Sequence, residues 1–285
     1  MSKKNQEKKR RFDVITLILV LILLAGIIMI VYPAISNYRT QQAASKAAAV
    51  YVQSVEGLNN EAYDQMLSDA HAYNEALAAK ANQWELTEED NALYESLLDP
   101  GEIGVMGTLE IPSINVSLPI YHGVSNGVLR VGVGHLEGTS LPIGGTGTHA
   151  VLSGHRGLTS AKLFTDLDKL VEGDLFYIQI LNETLVYEVD QILIVEPEDT
   201  SALAIDQEQD YVTLMTCTPY GINTHRLLVR GHRIDPDEDG VVIATGEASV
   251  VNKILVAPFI AVPVLLIIVI IIIVRTRRRH SRSSA

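Results

Sequence analysis

The sequence predicts a mostly β chain: a closed β-barrel of about seven or eight strands with short helices, preceded by an N-terminal helical extension and flanked by two transmembrane helices. Three observations predict it. Two aliphatic runs, 14–35 and 254–274, lie towards the two ends of the 285-residue chain. Residues 37–98 are rich in Ala, Gln, Glu, Asn and Leu and hold no proline and one glycine, Gly57. Beyond Gly101 the texture changes to short β-like runs punctuated by glycine and proline.

The first aliphatic run is long enough to cross a hydrocarbon core of about 30 Å at about 1.5 Å per residue. Lys3, Lys4, Lys8, Lys9, Arg10 and Arg11 precede it, and the second run is followed by Arg275, Arg277, Arg278, Arg279 and Arg282. Both basic tails, 1–13 and 275–285, are therefore expected in the cytoplasm, with everything between the spans on the outer face of the cell membrane. The rival reading of the first run is a cleaved signal peptide; its apolar core exceeds the roughly 7 to 15 residues usual there. A retained second span is the simpler reading of the last run, because no clear processing signal precedes it.

The segment between the spans carries ten Lys and Arg against 32 Asp and Glu, a formal net charge of −22. Like charge opposes a phosphate backbone, so nucleic acid is excluded as a partner, whereas the lipid bilayer is implied. The acidity reads as a solubilising surface, with attraction for basic partner surfaces as the alternative.

Within the extension, 36–100, Gly57-Leu58-Asn59-Asn60 reads as the break between two helices, and Asp99-Pro100-Gly101 as its end. Strands follow at 107–111, 116–121, 149–153, 175–181, 185–195, 211–216 and 226–230, all within a domain spanning 101–234. Ser160 opens a segment with Leu163, Phe164, Leu167 and Leu170 at helical spacing, which predicts one short helix between strands. Residues 235–253 read as a linker to the second span.

The chain has one cysteine, Cys217, so an intramolecular disulfide is impossible and the thiol is free. It ends the apolar run from Tyr211, and Arg226 follows nine residues later, so a hairpin through Thr218–Thr224 sets the two near each other at one barrel rim. A thiol with pKa about 8.5 needs a neighbouring imidazole or cation to react readily, and His155, after an earlier run, can supply it and then protonate a departing amine. Arg226 stays protonated, so its use is to donate hydrogen bonds to substrate carbonyls or an oxyanion. The plainer readings are a packed cysteine and an ion-paired strand arginine. His122, His135, His149 and His225 also fall in or beside the barrel, so residue type alone does not single out His155. No cofactor is called for, and no His-x-x-x-His or Cys-x-x-Cys spacing supports a metal.

The stretch from Thr213 through Cys217 and Arg226 to Gly231 resembles the active-site hairpin of sortases, and Leu152-Ser153-Gly154-His155-Arg156-Gly157 resembles their histidine loop. Residues 107–123 and 131–140 are similar to the front of the same barrel. The extension and second span resemble the pilus-assembling class C enzymes. The resemblance implies an eight-stranded sortase barrel with His155, Cys217 and Arg226 as the catalytic three. It implies cleavage of an LPxTG-like sorting signal between Thr and Gly through a Cys217 thioacyl intermediate, then transfer to a lysine of the next pilin subunit. Class C enzymes commonly carry an Asp-Pro-aromatic lid in the extension, whereas here Asp99-Pro100 precedes Gly101 and Trp84 follows Asn82-Gln83. Trp84 is the lid candidate, with helix-on-helix packing as its other reading. The alternatives are a housekeeping sortase attaching surface proteins to peptidoglycan and a membrane-anchored scaffold that only binds.

Overall fold

The structure, a computed structural model, describes residues 3–235. The second apolar run, the linker after Asp235 and the C-terminal basic tail lie outside the described residues. The chain divides into two compact units, and the one described below begins at Asn37. Among the described residues one helical stretch, Leu21–Glu56, is long and apolar enough to cross a membrane.

Three helices form the N-terminal part: α1 (Lys3–Glu56), α2 (Asn60–Ala78) and α3 (Glu88–Ser96). The break expected at 57–60 is present, and Asn59 caps α2 by accepting the Ala62 N–H at 2.8 Å. A second break separates α2 from α3 and holds Trp84. Its end is readable as a capping box, in which Thr87 and Asp90 each accept the other's backbone N–H.

Eight strands close into a barrel in the order β1 (Val105–Ile111), β2 (Val116–His122), β3 (Val133–His135), β4 (Thr148–Ser153), β7 (Asp210–Thr218), β8 (His225–Ile234), β6 (Glu183–Val195) and β5 (Leu175–Ile180). The seven runs read from the sequence are all strands. β3 went unread because three residues centred on Gly134 show no alternation. The helix expected at 160–170 is absent; only a 3-10 turn, Leu167–Lys169, forms there. Its apolar residues Leu163, Phe164, Leu167 and Leu170 are nevertheless buried in the core. Two of its backbone N–H groups go to partners outside the segment, Phe164 N–H to the His155 carbonyl and Lys162 N–H to Asn37 Oδ1, while Thr165, Leu167, Lys169 and Leu170 N–H close three-residue turns within it.

Strand alternation divides the side chains into two layers. Val212, Leu214, Leu227 and Val229 point into the barrel with Leu109, Ile120, Leu152, Phe176 and Tyr187. On the outer face of β4, β7 and β8, Val151, Met215 and Leu228 belong to a smaller cluster roofed by Leu203. The extension is fastened to the barrel by buried polar groups. Asn74 exchanges two hydrogen bonds with the Leu141 backbone, at 3.0 and 2.7 Å, and Tyr51 hydroxyl accepts the Leu181 N–H at 2.7 Å. Tyr94 hydroxyl accepts from Gly123 N–H at 2.9 Å.

Candidate active site

β7 and β8 pair antiparallel with Cys217 directly opposite Arg226. β4 lies parallel on the other side of β7, with Ser153 beside Met215. The alignment continues past the end of β4: Gly154 N–H donates to the Met215 carbonyl at 3.0 Å, and Thr216 hydroxyl donates to the Gly154 carbonyl at 2.7 Å. His155 is thereby carried alongside Cys217. Gly154 allows this course, because a Cβ there would lie 2.6 Å from the Phe164 ring. Three residues from three separate stretches of sequence thus meet at one rim, on the outer face of the sheet. Cys217 is free and partly exposed there.

The histidines, indistinguishable by type, are separated by their partners. His135 is fully buried; its Nε2 donates to the Ser140 carbonyl at 2.8 Å, leaving Nδ1 to accept from Tyr94 hydroxyl at 3.0 Å. Burial lowers its pKa to about 4, so it stays neutral. His149 is held between the Ala204 carbonyl and Thr213 hydroxyl. His122 reaches the Leu97 carbonyl at 2.7 Å, and His225 sits 3.2 Å from a Glu196 carboxylate oxygen. Among the described residues none hydrogen-bonds to the His155 ring, which leaves it available for proton transfer. Partial burial, helped by the charge of Arg130, pushes its pKa below the ordinary 6.5 and favours the neutral imidazole.

Trp84 is half-buried and packs against the outer cluster of Val151, Leu203 and Leu228, as Leu136, Leu193, Val195, Ala202 and Met215 also do. Met215 is two residues from Cys217 on the same strand face, and Val195 pairs with Arg226. Gln83 fixes this segment to two loops: its amide nitrogen donates to the carbonyls of Gly138 (3.0 Å) and Leu203 (3.3 Å), and its amide oxygen accepts the Ile205 N–H (3.2 Å). Among the described residues no group of three or more His, Cys, Asp and Glu is arranged to hold a metal ion.

A sortase-domain family model matches residues 109–234. Sortase D of Bacillus subtilis (strain 168) is 31% identical over 148 residues, covering 51% of this chain and 72% of that protein. The chain belongs to the sortase family. Among solved structures, sortase C1 from Streptococcus agalactiae is 49% identical with a TM-score of 0.65, over 67% of this chain and 98% of that one. A Clostridium perfringens sortase C with the C-terminal cell wall sorting motif is 46% identical with a TM-score of 0.60, over 67% of this chain and 100% of that one. This sortase is accordingly a cysteine transpeptidase with class C structural neighbours.

Two residues of this sortase that tie distant segments together had no role assigned from sequence. Gln83 gave no signal, because a glutamine in a helix-rich stretch reads as a solvated side chain. Arg156, beside His155 in the Gly-His-Arg-Gly run, could be noticed, but only the folded chain shows what it touches.

Proposed function

We propose that the chain is a membrane-anchored, pilus-assembling transpeptidase of class C type, using Cys217 as nucleophile, His155 as acid and base, and Arg226 as oxyanion donor. The single observation that carries this reading is the pairing of Cys217 with Arg226 across an antiparallel strand pair while His155 follows, two residues on, the end of the strand parallel to β7. Cys217 thiolate attacks the Thr carbonyl carbon of an LPxTG-like signal, and Arg226 donates hydrogen bonds to the oxyanion that develops. The Thr–Gly bond breaks as His155 gives a proton to the Gly nitrogen, leaving a thioester on Cys217. A lysine amine of the next pilin then attacks the thioester, His155 takes its proton, and the thiolate departs as the isopeptide forms. The low pKa of His155 suits the second half, where a neutral base is needed.

The neighbour holding a cell wall sorting motif supports the donor substrate class. An anchor at 14–35, with a second span at 254–274, holds the enzyme where substrates with their own spans emerge, which raises their effective concentration. Trp84 is read as the lid of this site, because it packs against the outer cluster of Val151, Leu203 and Leu228, to which Met215 of the Cys217 strand also packs.

The test is intact mass of the full chain in detergent after incubation with a Leu-Pro-x-Thr-Gly peptide, then with a lysine-bearing pilin peptide. A thioacyl adduct, absent in Cys217→Ala and discharged to an isopeptide product, is expected. Adduct discharged only by a wall-peptide amine would assign the housekeeping reaction. A folded chain that never forms adduct would remove the enzyme assignment of Cys217.

A further inference from the structure

Arg156 follows His155, yet its guanidinium points away into a different set of partners. Nη1 donates to Thr218 Oγ1 at 3.1 Å, Nη2 pairs with the Asp168 carboxylate, and the guanidinium carbon stands 5.9 Å from the centroid of the Tyr220 ring. The side chain is only 8% exposed, although it carries a full charge. Those contacts join four elements: the histidine loop, the 3-10 turn at Leu167–Lys169, the last residue of β7, and the loop leading to Arg226. Gly157 makes the approach possible; it has φ +81°, and a Cβ there would press on the Tyr220 ring at 3.2 Å.

Thr218 is the residue after Cys217, and Arg156 is the residue after His155. A side-chain bridge between them restrains the spacing of the two preceding Cα atoms, because each neighbour is only one planar peptide unit away. The hydrogen bond from Thr216 hydroxyl to the Gly154 carbonyl ties the residues on the other side of the pair, at 2.7 Å. Among the described residues His155 has no carboxylate or amide partner to orient its ring, so its direction depends on the loop that carries it. Displacement by about 1 Å at such a place can cost on the order of 10²-fold in rate.

We propose that Arg156 is a positioning residue, which sets the His155–Cys217 geometry by tying the histidine loop to Thr218, and that Thr218 is its counterpart. Both act through their neighbours and neither touches substrate. The choice of arginine follows from the chemistry: a planar fork can donate to a hydroxyl and a carboxylate at once while stacking on an aromatic ring, and a lysine ammonium cannot hold all three. Asp168, 46% exposed on its side chain, keeps the buried charge paired.

The inference rests on His155 and Cys217 being the reacting pair, and its test separates the two ideas. Full-length Arg156→Lys and Thr218→Val are compared with the unsubstituted chain by peptide kinetics and by the pH dependence of Cys217 alkylation with iodoacetamide. Both variants are expected to lower kcat by about 10- to 100-fold with KM changed less than about threefold. Both should displace the alkylation profile along the pH axis, and the double variant should be no worse than the more affected single one, since both break one bridge. Thr218→Val keeps shape and volume, so it guards against simple unfolding of an arginine variant. Unchanged kcat and alkylation profile in both folded variants would overturn the proposal, as would fully additive losses. Loss of thermal stability alone, with kcat per folded molecule intact, would likewise reduce Arg156 to a structural tie. Persistence of activity in Cys217→Ala would instead sink the underlying reading.

Discussion

Arg226 stands opposite Cys217 with its Nη1 committed only to the carbonyl of His225, at 3.2 Å, so most of its donors remain for substrate. Arg226→Lys keeps the charge and loses the fork; peptide kinetics should show kcat lower by about 10²- to 10³-fold, the range for removing one oxyanion donor. His135 offers a stability prediction with a definite sign. Its native pKa of about 4 lies below the unfolded 6.5, so between those values the unfolded chain binds a proton that the native one does not. Stability from this group is complete above pH 6.5 and is lost as pH falls towards 4, by on the order of 3 kcal/mol. Buried His149, also lowered, adds to the same slope, while Asp210, raised by its burial, opposes it at the acid end. Urea midpoints should therefore fall between pH 7 and pH 4.5, and a flat profile would contradict a neutral His135.

At the scale of elements, the connection between α2 and α3 joins docking to access. Asn74 is 3% exposed and satisfies both backbone groups of Leu141. Asn74→Ala leaves the buried Leu141 N–H without a partner, while the Leu141 carbonyl keeps its bond from Ile143 N–H, and calorimetry or urea unfolding should report a loss of about 1–3 kcal/mol. Gln83 and Trp84 sit in the same connection, one hydrogen-bonded to the carbonyls of Gly138 and Leu203 and the other packed against the cluster of Val151, Leu203 and Leu228. If the segment covers Cys217 and opens about 10% of the time or less, Gln83→Ala should quicken alkylation of Cys217 by tenfold or more. An unchanged rate would leave Trp84 as packing alone. The departure from Asp-Pro-aromatic thus still leaves a fastening in place, made by an amide that bonds to backbone.

For the molecule as a whole, extension and barrel share one core. Tyr51, Tyr94, Leu97 and Leu98 are buried within the same cluster as the barrel interior. At about 1.5–3 kcal/mol per buried side chain, their removal approaches the 5–15 kcal/mol that stabilises a whole domain. A chain beginning at Gly101 should accordingly lack the cooperative thermal transition seen in one beginning at Asn37. Sequence by itself determined the seven longer strands, the break at Gly57 and an N-terminal helix long and apolar enough to cross a membrane, because alternation, glycine and aliphatic length act within a few residues of their cause. It also placed Cys217 near Arg226, since a short hairpin leaves little choice of partner. Tertiary structure alone decided the rest. The segment 160–170 has helical spacing, yet distant Asn37 and His155 take two of its backbone N–H groups and it stays coiled. β3 exists only because β2 and β4 flank it. Which partners hold His122, His135 and His149, and what Arg156 would bridge, depended on contacts between residues far apart in the chain, and no local pattern encodes those.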